Sequence, residues 1–223
     1  MEPNLQLEEF VNEYSTEVVW PNLWYFSIKR VIDIIGALAG LIVLSPVFLI
    51  IGISIKVGSK GKVIFGHTRL GMNGKPIKVY KFRSMYENAK EMMENFTPEQ
   101  KEEFEKNFKL ENDPRITKIG KFLRESSLDE LPQLINILKG DMTIVGPRPI
   151  VEREIEKYGV YGDKFLSAKP GLTGLWQVSG RSDTTYEERV LLDMEYIDKR
   201  TVLGDIVIIL KTVGVVFNRI GAR

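Results

Sequence analysis

The longest apolar segment of the chain is an uncharged run of 22 residues, from Ile34 to Ile55. At about 1.5 Å per residue, a helix of this length could cross a hydrocarbon core of roughly 30 Å. Ser45 and Pro46 occupy its middle, and a proline inside a helix removes one hydrogen bond and clashes with the preceding turn. We therefore predict a sharp bend there, with the Ser45 hydroxyl bonded to a carbonyl that the bend exposes.

Basic residues flank this run on both sides. Lys29 and Arg30 precede it, and Lys56, Lys60 and Lys62 follow it. Positive charge marks the cytoplasmic ends of membrane segments, so we expect both ends on the cytoplasmic side. A bent helix that enters and leaves the membrane by one face satisfies this expectation. A kinked helix that spans the membrane is the alternative that stays open.

The rest of the chain alternates between strand-like and helix-like patterns. Residues 62–84 predict a β-hairpin that turns at Asn73-Gly74, a strong hairpin signal. Segments 144–149 and 168–181, rich in glycine and proline, predict loop and strand. Helices are predicted at 5–19, 86–109, 116–124, 128–139, 150–158, 184–200 and 203–217. The helix 86–109 should break at Thr97-Pro98. The helix 184–200 should be capped by Asp183 or Thr184, with Glu187 nearby.

These elements predict an α+β fold with a bent, re-entrant membrane helix, interfacial amphipathic helices and a small sheet that supports the active site. Five acids and no Lys or Arg occur in residues 1–28. We therefore divide the chain into an acidic leader (1–25), the membrane helix (26–57) and a cytosolic, membrane-associated catalytic domain (58–223). Trp20, Trp24, Tyr25 and Phe26 lie just before Lys29 and Arg30, and aromatic residues followed by cations are typical of a membrane interface.

Composition excludes several kinds of site. The formal net charge is +1, which gives no argument for nucleic-acid binding, and we expect none. The chain contains no cysteine, so disulfides and thiolate metal sites are excluded. His67 is the only histidine, so neither a His-based metal site nor a Ser/His triad is expected.

Asp129 and Glu130 are the strongest candidates for chemistry. They fall in the first turn of the predicted helix 128–139, where the helix dipole favours carboxylates by about 0.3–1 kcal/mol each. Ordinary capping would explain them, but many cations surround them in sequence: Arg115, Lys118, Lys121, Arg124 and Arg148. Adjacent acids among cations suit a carboxylate nucleophile, a bound pyrophosphate and a hard divalent cation such as Mg²⁺.

Several long motifs carry a family resemblance. The run DPRITKIGKFLRESSLDELPQLINILKGDMTIVGPRP (113–149) is similar to the central signature of the bacterial sugar transferases, the monotopic polyprenyl-phosphate phosphoglycosyl transferases. HTRLGMNGKPIKVYKFRSM (67–85), KPGLTGLWQVSGRSDTTYEERV (169–190) and Ser45-Pro46 match the family too. The resemblance covers residues 26–223 and is strongest to undecaprenyl-phosphate galactose or glucose phosphotransferases.

The resemblance implies a role for individual residues. Asp129 matches the nucleophile that attacks the β-phosphorus of a UDP-sugar, so that UMP leaves and a phospho-sugar stays on the carboxylate. Glu130 matches its partner, as a base or a positioning group, and Mg²⁺ would bind at Asp129. The residues implied to bind phosphate are Arg124, Arg148, Arg181, Lys81 and Arg83.

The resemblance also implies the surroundings of the reaction. The substrates would be a UDP-hexose and polyprenyl phosphate, and the enzyme would lie in the inner leaflet of the bacterial cytoplasmic membrane, with its catalytic domain on the cytosolic face. A homodimer is compatible with it. The pathway would be the assembly of O-antigen, capsule or exopolysaccharide. Galactose, glucose and N-acetylated sugars stay open, as do a non-catalytic lipid-binding scaffold and a transferase that releases UDP.

Overall fold

The computed structural model describes residues 14–107, 110, 112–180 and 184–217. It has the α+β composition that the sequence predicts, with many helices and two small sheets. The helices are α1 (Leu23–Val43), α2 (Ser45–Gly58), α3 (Ala89–Glu94), α4 (Pro98–Asn107), α5 (Lys118–Glu125), α6 (Gln133–Lys139), α7 (Gly162–Leu166), α8 (Leu175–Ser179), α9 (Tyr186–Lys199) and α10 (Val202–Phe217). The strands are β1 (Ile64–Leu70), β2 (Pro76–Phe82), β3 (Thr143–Val145) and β4 (Gly171–Thr173), and 3-10 turns occupy Met72–Gly74, Leu128–Glu130 and Glu152–Tyr161.

The apolar run bends where the sequence predicts a bend. Among the described residues no individual helix has both the length and the apolar composition to cross a membrane, whereas α1 and α2 together do, with a 61° bend between them. The break lies at Leu44, one residue earlier than expected, and Ser45 and Pro46 open α2. Proline fits this first turn because its missing N–H has no helical partner there. The Ser45 hydroxyl donates to the Ile42 carbonyl at 2.8 Å, as predicted.

Two small sheets are formed. Strands β1 and β2 pair antiparallel around Asn73 and Gly74, both at positive φ, which confirms the predicted hairpin. Strands β3 and β4 pair parallel, with Thr143 opposite Gly171. The end of β3 leads directly into Gly146-Pro147-Arg148, so this second sheet fixes the start of the loop that carries Arg148.

Three apolar clusters form the core. The largest joins β3 and the segment 150–168 to α9 and α10, around Met194 and Ile197. A second cluster packs α1 on α6 and β2 through Ala37 and Ile137. The third packs α2 on α5 and β2 through Ile55 and other buried side chains. The two helices of the apolar run therefore pack against the same body of the protein.

A network of buried polar side chains holds α1 to this body, and we call it the anchor network (Tyr25, Lys29, Asp33, Tyr196 and Asp205). Lys29 Nζ lies 2.6 Å from Asp205 Oδ2, and the Tyr25 and Tyr196 hydroxyls also donate to that carboxylate. Asp33 accepts from the Thr143 hydroxyl and from the backbone N–H of residue 144. Each anchor carboxylate is thus fully bonded inside the protein.

Arg30 strengthens the same attachment from the opposite side of α1. Its guanidinium donates to the carbonyls of Ile137 and Leu138 at the C-terminal end of α6. The Ile137 carbonyl also accepts from the backbone N–H of Gly140, and the positive charge of Arg30 favours the C-terminal end of the helix. Lys29 and Arg30, which the sequence places as flanking charges of a membrane segment, therefore bind groups within the protein.

A broad apolar surface stays exposed on three helices. Ile35 on α1, Leu49 on α2 and Leu210 on α10 are 63%, 65% and 66% exposed. Other exposed apolar side chains on the same helices are Ile28, Val31, Leu38, Ile42, Val43, Ile50, Ile53, Val57, Leu203, Ile206, Val207 and Val213. An apolar area of this extent marks a surface that is covered in the working protein.

Several local predictions need correction. The predicted helix 128–139 is a 3-10 turn followed by α6, because Pro132 interrupts it and fits only at the start of a helix. Segment 168–181 contains the helix α8 as well as a strand. Thr185, with Glu188, caps α9, instead of Thr184 or Asp183 with Glu187. Of the predicted helix 5–19, residues 14–19 are not helical and the others lie outside the described residues.

Two further predictions can be compared directly. Thr97 caps α4 through a reciprocal pair of hydrogen bonds with Gln100, as its position before Pro98 indicates.

Helix α1 begins at Leu23, within the segment 1–25 that the sequence assigns to an acidic leader. Asp33, which directly precedes the uncharged run, is 3% exposed and belongs to the anchor network.

Candidate active site

A tight turn presents the Asp129–Glu130 pair. Helix α5 ends at Glu125, and Ser127 then adopts a left-handed conformation with φ 57° before the 3-10 turn. A non-glycine residue at positive φ carries strain that the surrounding structure must hold. Leu128 and Leu131, on either side of the pair, pack into the third apolar cluster. This packing fixes the turn and leaves Asp129 and Glu130 to face the charged groups around them.

Lys81 contacts both carboxylates. Its Nζ lies 2.6 Å from Glu130 Oε1 and 3.6 Å from Asp129 Oδ2. Lys81 belongs to β2, whose neighbouring residue Phe82 is buried in the same cluster as Leu128. The strand therefore holds the ammonium beside the turn.

Arg148 approaches Glu130 from another direction. Its Nη2 lies 3.2 Å from Glu130 Oε1, so this oxygen accepts from both Lys81 and Arg148. Pro147 and Pro149 flank the arginine and restrict its backbone. The Pro147 carbonyl also accepts from the backbone N–H of Gly171, which ties this loop to β4.

Arg124 lies near Asp129 and is held by a serine. Its Nε donates to Ser84 Oγ at 2.9 Å. Helix α5 approaches the Ser84 backbone so closely that a Cβ at Gly120 would lie 1.9 Å from the Ser84 carbonyl oxygen. Burial lowers the pKa of Arg124 and the charge of Asp129 acts against this shift, so the two charges interact.

The two carboxyls have opposite electrostatics. Burial raises the pKa of Asp129, the Glu130 charge adds to this rise, and Lys81, Arg124 and Arg148 reduce it. For Glu130, burial also raises the pKa, but Lys81 and Arg148 outweigh it and hold the pKa at about 2. Glu130 is thus ionised at neutral pH and paired with two cations. Asp129 is the carboxyl whose charge is less fully compensated.

Arg69 is a member of this charged region that sequence reasoning missed. Burial lowers its pKa, and the charge of Arg148 lowers it further, while Glu154 and Glu130 oppose the change. Its only ion pair in the described chain is a 3.6 Å contact between Arg69 Nη1 and Glu154 Oε2. The signal was present in the matched run 67–85, which contains Arg69. Ser84, from the same run, was missed as well.

The other predicted phosphate-binding residues are placed differently. Arg83 lies outside the charged cluster, where its guanidinium donates to Ser59 and to the Lys60 carbonyl at the end of α2. It therefore connects β2 to the apolar run. Arg181 lies outside the described residues. Of the predicted set, the structure brings together Asp129, Glu130, Lys81, Arg124 and Arg148.

The residues present fit a metal ion only in part. Within the described ranges, no three or more His, Cys, Asp or Glu side chains are grouped to hold one. Mg²⁺ commonly binds through one or two carboxylates and completes its shell with water and substrate phosphates. The carboxylate of Asp129, beside Lys81, Arg124 and Arg148, could supply one such ligand but does not form a metal site by itself.

Comparisons with known proteins identify the family of the chain. A model of the family described as bacterial sugar transferase matches residues 24–219. An uncharacterized sugar transferase of Haemophilus influenzae is 50% identical over 198 residues, which are 87% of this chain and 42% of the relative. The undecaprenyl-phosphate galactose phosphotransferase of Salmonella typhimurium is 48% identical, over 87% of this chain and 41% of its own length.

A third relative covers a larger share of its own chain. The exopolysaccharide production protein ExoY of Rhizobium meliloti is 46% identical over 188 residues, which are 83% of each protein. This chain therefore spans about two fifths of the length of the first two relatives and most of the third. The match over 24–219 confirms the resemblance that the motifs indicate, and the chain belongs to the bacterial sugar transferase family.

Proposed function

We propose that this chain transfers a hexose-1-phosphate from a UDP-hexose to polyprenyl phosphate, with Asp129 as the nucleophile and UMP as the released product. The family and the name of the Salmonella typhimurium relative support transfer of a sugar phosphate to a polyprenyl phosphate acceptor. The observation that carries the proposal is the contrast between the two carboxyls. Glu130 is neutralised by Lys81 and Arg148, whereas Asp129 has one long 3.6 Å contact to a lysine that is already bonded elsewhere.

In the first step, an Asp129 oxygen attacks the β-phosphorus of the UDP-hexose. A bond forms between the carboxylate and that phosphorus, and the bond from phosphorus to the bridging oxygen breaks. UMP leaves with the bridging oxygen, and the hexose-phosphate remains as a mixed anhydride. Lys81, Arg124 and Arg148 surround this position and would stabilise the negative charge of the transferred group.

In the second step, an oxygen of the polyprenyl phosphate attacks the same phosphorus. The bond to Asp129 breaks, the carboxylate is restored, and polyprenyl-diphosphate-hexose leaves. The two substrates therefore use one position in turn, which predicts ping-pong kinetics. The raised pKa of Asp129 makes its ionised form a stronger nucleophile than an ordinary aspartate.

Glu130 acts in this scheme as a positioning group. With a pKa of about 2 it has little tendency to accept a proton at neutral pH. Its oxygen instead holds Lys81 and Arg148 next to Asp129. Of the two roles that the resemblance allows, the arrangement favours positioning over general base catalysis.

We include Mg²⁺ in the proposal as an ion bound by Asp129 together with the diphosphate. When bound, it would neutralise charge on the transferred phosphate. The excess of cations around Asp129 serves the same purpose from the protein side. We expect removal of divalent cations by a chelator to abolish UMP release.

We also propose that α1 and α2 form a re-entrant anchor in the cytoplasmic membrane, with the catalytic domain on the cytosolic face. The beginning of α1 is tied to Asp205 through Lys29, and the end of α2 packs through Ile55 on the same body. Both ends therefore emerge on one side of the apolar surface. In this proposal the site lies near the headgroups, where a polyprenyl phosphate presents its charge, and the enzyme acts at an early step of exopolysaccharide, O-antigen or capsule assembly.

A screen of UDP-sugars tests the reaction. Purified protein is incubated with Mg²⁺, polyprenyl phosphate and UDP-galactose, UDP-glucose or an N-acetylated UDP-sugar, and the nucleotide product is identified. UMP release with a UDP-hexose supports the proposal and names the sugar. Release of UDP would mean that the sugar is transferred without its phosphate, and release of neither would indicate a scaffold.

Cysteine labelling tests the topology, because the chain contains no native cysteine. Ser27→Cys and Lys60→Cys place single thiols near the two ends of the apolar run, and both positions are exposed. A membrane-impermeant reagent should label both from the cytosolic side. Labelling from opposite sides would establish a spanning helix instead.

A further inference from the structure

Arg200 is a buried cation at the junction of three helices. It follows α9, precedes α10 and lies against the first turns of α1, with its Cζ 5.7 Å from the centre of the Phe26 ring. The residue is 9% exposed. None of these three helices carries a member of the charged cluster around Asp129, so Arg200 belongs to a different part of the protein.

Within the described residues, the guanidinium of Arg200 has no anionic partner. Its Nε and Nη2 are buried and make no hydrogen bond, and no carboxylate of the described chain lies within 4.0 Å. Other buried cations differ: Arg115 is paired with Asp113, and Lys164 with Asp198. A buried charge without a partner is costly, so an anion from outside the chain is the natural complement.

The surroundings of Arg200 indicate which anion. Trp24 and Leu23, at the start of α1, are 76% and 83% exposed, and Leu203, at the start of α10, is 72% exposed. Exposed tryptophans beside cations are typical of the depth at which lipid headgroups lie. An arginine in such a belt keeps its stem among apolar groups and directs its head toward phosphates.

We propose that Arg200 binds the phosphate of an anionic phospholipid headgroup, at a site that orients the start of α1 on the membrane. This proposal rests on the membrane association proposed above. The planar guanidinium matches two phosphate oxygens at once. The N-terminus of α10, a helix of 16 residues, begins two positions later at Val202, and its dipole also favours an anion.

Lipid titration of the purified protein in dodecyl maltoside micelles tests this site. Thermal unfolding is followed while dihexanoyl-phosphatidylglycerol or dihexanoyl-phosphatidylcholine is added. We expect phosphatidylglycerol to raise the Tm of the wild type more than phosphatidylcholine does. Arg200→Gln should weaken the apparent affinity for phosphatidylglycerol by about 10-fold or more, since it removes a charge-assisted hydrogen bond.

Two further variants control the measurement. Lys199→Gln removes one positive charge at the next position, from an exposed side chain that pairs with Glu195, and should change the affinity by less than about 2-fold. Arg200→Lys keeps the charge and loses the planar fork, so we expect an intermediate loss. The same comparison can be made with Arg200→Lys alone if Arg200→Gln does not fold.

Several outcomes would overturn the proposal. Equal responses to the two phospholipids, or an unchanged response in both Arg200 variants, would remove the headgroup site. An Arg200-dependent response to inorganic phosphate as strong as that to phosphatidylglycerol would indicate a general anion site. A response to farnesyl phosphate alone would assign Arg200 to the lipid substrate.

The activity assay keeps this proposal separate from the proposed function. UMP release in the same micelles should be retained in Arg200→Gln. Loss of turnover in a folded variant would place Arg200 in the reaction and contradict a headgroup role. A wild type that responds to phosphatidylglycerol but releases no UMP would contradict the proposed reaction and leave the headgroup site supported.

Discussion

The anchor network and the active site are both built from carboxylates and cations away from bulk water, but they are completed differently. In the anchor network, Asp205 binds Lys29 and two tyrosine hydroxyls, so its bonding is satisfied within the chain. In the active site, Glu130 takes the close contacts of Lys81 and Arg148, and the one ion pair of Asp129 within the described residues is a 3.6 Å contact with Lys81. The difference distinguishes a carboxylate that stabilises the fold from one that is available to react.

The first and largest expected effect is that of Asp129→Asn. If Asp129 is the nucleophile, UMP release should fall by at least about 10³-fold, since replacement of a nucleophile removes the covalent pathway. The melting temperature should stay close to that of the wild type, because the variant removes a carboxylate charge that is incompletely paired. Asp141→Asn, which removes another carboxylate from the same region of the chain, should change turnover less than about 2-fold.

Asp205→Asn should lower stability and leave turnover nearly unchanged, which is the opposite of the result expected for Asp129→Asn. Asp205→Asn leaves Lys29 buried without its partner, which should cost about 3–5 kcal/mol of stability. The measurement is denaturant unfolding in detergent, together with turnover per folded molecule, which should be nearly unchanged. Glu195→Gln, which breaks an exposed pair with Lys199, should cost about 0–1 kcal/mol. Equal effects of the two substitutions would contradict the anchor role.

Glu130→Gln tests the difference between the two carboxyls of the active site. We expect turnover to fall by about 10- to 100-fold, because Lys81 and Arg148 lose the group that holds them. Glu130 raises the pKa of Asp129 through its charge, so its removal should lower that pKa. The rate of the wild type should fall as pH drops through a value above the ordinary 3.8 of aspartate, and this acid limb should move to lower pH in the variant.

The exposed carboxyl of Glu125 offers a control for that profile. Glu125→Gln should leave both the rate and the acid limb unchanged, because the Glu125 side chain is 47% exposed and, among the described residues, forms an ion pair only with Lys121, at 4.0 Å. An acid limb that moves to higher pH in Glu130→Gln would contradict the charge arrangement described here.

Asp193 shows what burial does to a carboxyl that has no close ion pair in the described chain, and its expected effect is confined to the pH dependence of stability. It is 0% exposed, and burial raises its pKa to about 8, against the hydrogen bond from Tyr158 and the charge of Arg189. Because the folded state retains the proton between the unfolded pKa and about 8, stability should decrease as pH rises through that window, by about 1 kcal/mol per pH unit. Asp193→Asn should flatten this dependence. An unchanged pH profile of unfolding would remove Asp193 as its cause.

Bends, turns and caps that depend on a few adjacent residues are the features that the sequence predicts best. The bend near Pro46, the turn at Asn73-Gly74 and the cap at Thr97 each follow from a few adjacent residues, and the structure has all three. The turn at Asp129 follows from less local causes. Pro132 prevents a regular helix from running through this turn, so α6 begins only after it, and Ser127 takes a positive φ that tertiary packing must hold.

Contacts between distant residues account for the remaining differences. Arg69 pairs with Glu154 and Ser84 accepts from Arg124, and each contact joins residues that are dozens of positions apart. A single sequence does not show which distant residues will meet. Asp33 stands at the edge of an apolar run, where its sequence position alone gives no sign of a bond to Thr143. The motifs identify the family and the charged residues, whereas the bonding of each charge requires coordinates.

Capture of the intermediate is the most direct test of the central claim that Asp129 carries the phospho-sugar. Wild-type protein is mixed with a UDP-hexose and Mg²⁺ in the absence of any lipid acceptor, and UMP and the peptides of the quenched protein are analysed. The account predicts a stoichiometric burst of UMP and a hexose-phosphate on the peptide that contains Asp129, both missing in Asp129→Asn. UMP that forms only after polyprenyl phosphate is added, with that peptide unmodified throughout, would contradict it.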